Sequence, residues 1–117
     1  MVMTITKLEK PEWSAFFERA SRLLLGRRTH IEILSEVFGS QDGAGGLPLV
    51  GMVYDPNDDV IEIILEGLDH IVYRPLVVYF DDGPGLQMAL QIIDDDGVRQ
   101  IILMRDPLLL PPWKLQG

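Results

Sequence analysis

The chain has 117 residues, 47% of them apolar, no cysteine and a formal charge of −8. That length and apolar share suit one domain with its own core and argue against disorder. The missing cysteines exclude disulfides, thiolate nucleophiles and thiolate metal sites, and the acid surplus repels nucleic acid phosphates and anionic membranes.

Residues 1–10 (MVMTITKLEK) lack the apolar stretch of a secretory signal. The longest apolar run in the chain is five residues, far below the roughly 20 of a membrane span. A cytoplasmic protein is the expectation. Pro11 suits the first position of a helix, where no donor is lost. Trp13, Phe16, Phe17, Ala20, Leu23 and Leu24 then recur at helical spacing, and Gly26 is a natural stop. The spacing predicts a helix over 11–25.

The period then changes to two. Ile31 and Ile33 alternate with His30 and Glu32, which predicts a half-buried strand over 29–37. Residues 39–46 (GSQDGAGG) hold four glycines and read as a flexible loop. Residues 47–54 read as a strand, with Pro48 near its start where a missing donor does least harm. Asp55-Pro56-Asn57-Asp58 is a turn signal. Val60 to Leu65 is a strand with Ile61, Ile63 and Leu65 on one face. Glu66-Gly67 is a turn, and 70–80 is extended but interrupted at Pro75. Residues 81–85 (DDGPG) read as a loop. Residues 86–93 and 98–105 form a last hairpin closed at Asp95-Asp96-Gly97.

One helix and six strands with short connections make an α+β domain with a mostly antiparallel sheet. Several strands carry neighbouring apolar residues on both faces, such as Ile63 with Ile64 and Ile101 with Ile102. That predicts a strongly bent sheet, a half-open small barrel, or a second apolar face used for assembly. The tail, 106–117 (DPLLLPPWKLQG), sets Leu108, Leu109, Leu110 and Trp113 among three prolines. It belongs neither in a helix nor in a central strand. It is a candidate interface, packed either on its own core or on a neighbouring subunit.

Charge is unevenly placed. Residues 1–28 carry six basic against three acidic groups, whereas 55–96 carry eleven acidic groups against Arg74 alone. Solubility accounts for such a surface, and so does contact between the basic start of one subunit and the acidic sheet of another.

Asp55, Asn57, Asp59 and Glu66 have the spacing of a calcium loop, but Val60 stands where a sharp turn needs glycine, and the flanks read as strands. An acidic hairpin turn is the simpler reading, with no metal. Glu66, Asp69 and His70 cluster at one turn, and a carboxylate beside histidine can orient a general base. They are weak site candidates, because no nucleophile or oxyanion donor pair lies nearby. The glycine run has no following lysine or helix and fails as a phosphate loop. The aromatic residues at helical spacing read as core rather than as a base-stacking platform. No cofactor is expected.

The segments Leu47-Pro48-Leu49-Val50-Gly51, Tyr54-Asp55-Pro56 with Asp58-Asp59, Leu65 to His70 (LEGLDH) and Asp96 to Ile101 (DGVRQI) resemble a family of small bacterial proteins of unknown function, which also begins with a Glu-Trp helix like Glu12-Trp13. The resemblance covers nearly the whole chain to Leu110. It implies a soluble single-domain protein and brings no activity, cofactor or catalytic residues. Val72 to Leu76 (VYRPL) departs from it, being less polar. The expectation is a non-catalytic interaction or structural module that self-associates, most simply as a dimer, with no nucleic acid or membrane partner. The alternative is a small-molecule-binding or hydrolytic protein using Glu66, Asp69 and His70 at a barrel mouth.

Overall fold

A computed structural model describes residues 4–37, 39–82 and 87–105. Strand β1 (Thr4–Leu8) leads through a 3-10 turn (Lys10–Glu12) into helix α1 (Trp13–Leu23). Seven strands follow: β2 (Arg28–Ser35), β3 (Gly39–Asp55), β4 (Val60–Leu65), β5 (Leu68–Tyr73), β6 (Pro75–Asp82), β7 (Gln87–Asp94) and β8 (Arg99–Arg105). They form one open antiparallel sheet in the order β1-β6-β7-β8-β2-β3-β4-β5. The α+β class with one helix on a bent antiparallel sheet stands, and the described residues hold eight strands instead of six. None of them forms a helix long and apolar enough to cross a membrane. Leu108, Leu109, Leu110 and Trp113 lie outside the described residues.

The helix forms where the 3.6-residue spacing demands it. Glu9 N donates to Glu12 Oε1 at 3.2 Å in a capping box around Pro11. Trp13, Phe17 and Ala20 bury one face, and Gly26, at φ +82, turns the chain away. The α-helical part is shorter than 11–25, because its first turn is 3-10 and its last helical residue is Leu23, with Leu24 as the cap.

Two strands escaped the sequence pattern. β1 has only five residues and gains its place by pairing with β6 at the sheet edge. The extended stretch 70–80 splits at Arg74, which takes φ 49, so β5 continues the β4 side of the sheet while β6 joins β7 and β1. One corner thus sends the chain from one end of the sheet to the other.

The glycine run corrects a second expectation. Residues 39–46 are not a loop but the first half of the 17-residue β3, paired with β2 from Ser35↔Gly39 to Arg28↔Pro48. Glycine serves close approach here. A Cβ on Gly43 would meet Ile31 Cγ2 at 3.1 Å and Ile33 Cδ1 at 3.2 Å. A Cβ on Gly45 would meet His30 Nδ1 at 3.3 Å. The turn chemistry of glycine was the wrong inference, and its missing side chain the relevant one.

β3 is the spine of the sheet. Its first half pairs with β2 and its second with β4, and a register shift between Leu49 and Gly51 changes which residues face inward. Leu49, Met52 and Tyr54 are buried, while Val50 and Val53 are exposed. Past Pro48 the edge that β2 has left is taken over by the helix end. Leu49 N donates to Arg27 O at 2.9 Å, and Gly26 N donates to Leu49 O at 2.8 Å. Ser21 Oγ accepts from Met52 N at 2.7 Å and lies 2.8 Å from both Met52 O and Phe17 O, to either of which its hydroxyl can donate. A serine on the helix therefore satisfies backbone groups that a missing strand would otherwise have paired. The core fills the concave side: Ile31, Ile61, Ile63, Val72, Val78, Leu90, Ile92 and Ile102 are fully buried with Trp13 and Phe17.

Candidate functional site

The three residues singled out at the β4–β5 turn do not converge. Strand alternation sends Asp69 and His70 to opposite faces of β5. Glu66 is exposed in the turn, Asp69 is exposed on the outer face, and only His70 points inward. There its Nε2–H donates to Oε1 of Gln100 on β8. Gln100 is a polar side chain buried in the core, at 7% exposure. The pair ties the edge strand β5 to β8 in the middle of the curved sheet, because Gln100 sits between Ile33 of β2 and Ile92 of β7 while His70 sits opposite Ile63 of β4. The geometry is that of a satisfied polar seam, with each group supplying what the other lacks. Gln100 was not foreseen. Its signal was a glutamine in place of an apolar residue on the inner phase of β8, before Ile102 and Met104.

The acids of residues 55–59 punctuate a turn. Asp55 Oδ1 accepts from Asn57 N at 2.9 Å, the self-bonded turn that Asp favours. Asp59 takes φ 52. β4 then runs six residues away, carrying Glu66 roughly 20 Å from the turn. The calcium-loop spacing is therefore linear along the chain and not a ring in space. Asp94, Asp95 and Asp96 do come together, in the β7–β8 turn, with one oxygen of each within 4.8 Å of the others. Arg74 is set into that group, its Nε 2.7 Å from Asp95 Oδ2 and its guanidinium 3.7 Å from Asp96 Oδ2. Asp95 N also donates to Arg74 O at 3.1 Å. The single basic residue of the acidic segment thus ties the β5–β6 corner to the β7–β8 turn.

At the other end, the basic start of the chain meets the acidic hairpin within one molecule. Lys10 Nζ lies 3.5 Å from Asp59 Oδ1 and 5.6 Å from the centre of the Trp13 ring. Tyr54 Oη donates to the same Asp59 oxygen at 2.8 Å, and its ring meets Trp13 edge-on at 5.0 Å. Burial of the Tyr54 ring, followed by the Asp59 carboxylate, holds the phenol above its ordinary pKa. An acid whose pKa is raised on folding contributes stability in full below its unfolded pKa, near pH 10, and loses it as pH rises through the folded value. Wild type is therefore expected to lose stability steeply above pH 10, and Tyr54→Phe to flatten that loss in a urea-midpoint series. An unchanged slope in the variant would remove Tyr54 from the account.

Two clefts flank the helix. One of about 480 Å³ runs between Ser14, Glu18 and Arg22 of α1 and the Gly51–Tyr54 edge of β3. The other, of about 200 Å³, is apolar and lies between α1 and β6–β7.

The outer face of β3–β4–β5 is the most distinctive surface. Val53, Glu62 and Ile71 sit side by side across three strands, with Asp55, Val60 and Tyr73 in the next row. Val53, Ile71 and Tyr73 are 48%, 39% and 59% exposed. β5 ends the sheet, so its far edge has no strand beside it among the described residues.

No solved structure matches the chain. An uncharacterized protein of Aquifex aeolicus (strain VF5) is 30% identical over 110 residues, which cover 93% of this chain and 99% of that relative. A family model matches residues 4–113, spanning every described element from β1 to β8. The turns at 55–59 and 65–70 and the strand entry at 96–101, on which the resemblance rested, all fall inside that match. The chain belongs to the family of unknown function DUF5335.

Proposed function

We propose that this protein is a non-catalytic interaction module that self-associates as a dimer through the edge of β5. The carrying observation is the pair of exposed apolar residues on an edge strand, Ile71 and Tyr73 on β5, with Val53 of β3 further along the same row across Glu62. An open edge with apolar side chains templates another strand unless something blunts it. Antiparallel pairing of two β5 strands about Ile71 sets Ile71 against its own copy, and Asp69 against Tyr73 of the other chain. The phenol then has a carboxylate to donate to, and the two sheets become one. Such an isologous contact is self-complementary under a two-fold axis. Glu62 and Asp69 add like charge to this face, so added salt supports the association by screening it. The acid surplus favours a protein partner over nucleic acid or an anionic membrane.

Sedimentation velocity tests this reading. Wild type is expected at the dimer mass at micromolar concentration, and Ile71→Lys at the monomer mass with a cooperative unfolding transition retained, because Ile71 lies on the outer face of the single chain. A wild-type monomer at every concentration and salt, or a dimer that survives Ile71→Lys, sinks it.

A further inference from the structure

We propose that the apolar groove between α1 and strands β6 and β7 seats the chain's own C-terminal segment, with Leu108 to Leu110 against its walls. The groove is lined by Phe16, Ala20, Leu23 and Leu24 of the helix region and by Phe80 and Met88 of the sheet, with Arg19 its one charged member. It holds about 200 Å³. Leu23 on its rim is 71% exposed.

The occupant follows from where the described chain ends. β8 stops at Arg105, one residue past Met104, and Met104 is the cross-strand partner of Met88 in the groove wall. Paired residues of an antiparallel sheet lie about 5 Å apart between Cα atoms. The chain therefore leaves the sheet beside the groove. Residues 106–110, fully extended, reach up to roughly 17 Å from that point. The sequence that follows the exit is Asp106-Pro107-Leu108-Leu109-Leu110-Pro111-Pro112-Trp113. Its prolines bar a helix interior and a central strand, which suits an irregular strap over a groove. Three leucines match a lining of aliphatic and aromatic carbon. The tether is two residues long before the first leucine, so the chain's own tail meets the groove at a high effective concentration. A second copy must compete with that. The proposal is independent of the β5 dimer, because the groove lies on the helix side of the sheet.

The chain has no cysteine, so an engineered pair reports on one contact only. In the full chain carrying Leu23→Cys and Leu109→Cys, mild oxidation is expected to give a disulfide within one chain. It should appear at monomer mass on a non-reducing gel and form at least ten times faster than in Val37→Cys with Leu109→Cys. Val37 is 81% exposed in the turn beyond the far end of β2. Leu23 and Val37 are both exposed, so replacing either does not threaten the fold. A predominantly disulfide-linked dimer, or a rate equal to that of the Val37 control, overturns the proposal. The first outcome assigns the groove to a second copy's tail, and the second leaves the groove without the tail. Neither touches the β5 contact, which Ile71→Lys reads separately.

Discussion

Trp13→Ala is expected to destabilise the protein by about 3–5 kcal/mol, the range for truncating a large aromatic in a closed core. Trp13 is 1% exposed and stands where four elements meet. Its Nε1–H donates to Leu8 O of β1 at 2.9 Å, its ring edge packs against Tyr54 of β3, and Lys10 of the 3-10 turn lies over its face. Truncation opens a cavity, orphans the Leu8 carbonyl and frees the Lys10–Asp59 corner. A domain of this size has roughly 5–15 kcal/mol in total. The loss should therefore appear as a fall in urea midpoint at unchanged slope and a drop in melting temperature on the order of 10–20 °C. Trp13→Phe keeps the ring contact and loses only the donor, so it should cost less than half as much. A loss below about 1 kcal/mol for the alanine variant would show that the cavity collapses and that Trp13 is not the keystone described.

The second large effect is a coupling. His70→Leu and Gln100→Leu, made singly, are each expected to cost about 1–3 kcal/mol, because each leaves a polar group in the core without its partner. The double variant is expected to cost less than the sum by about 1 kcal/mol or more, since it removes both polar groups at once. Urea denaturation of the four proteins in the cycle measures this. Strict additivity would mean that His70 and Gln100 act independently and that the seam does not tie the edge strand β5 to β8.

The helix was legible because its apolar residues repeat at 3.6, and Ile61, Ile63 and Leu65 were legible because they repeat at two. The divergence of Asp69 and His70 was also written in that alternation: neighbours on one strand face opposite ways, whatever their adjacency in sequence. The partner of His70 was not, because Gln100 lies 30 residues further on and joins it only through the curvature of the sheet. β1 was hidden for a related reason. Five residues carry too weak a period, and β6, which holds them, lies about seventy residues away. The glycine run misled because glycine is permissive. It marks a turn in one context and a close approach in another, and only the positions of Ile31, Ile33 and His30 decide between them.

By itself, the sequence determined the class of this protein: one amphipathic helix, short alternating strands, acids at the turns and no thiol chemistry. Those follow from local spacing and composition, which act over a few residues. The tertiary structure decided the strand order, the 17-residue spine, the corner at Arg74 and the sheet that ends in an exposed β5. These depend on which surfaces bury one another across the whole chain, and burial has no direction along the sequence until the chain has closed on itself.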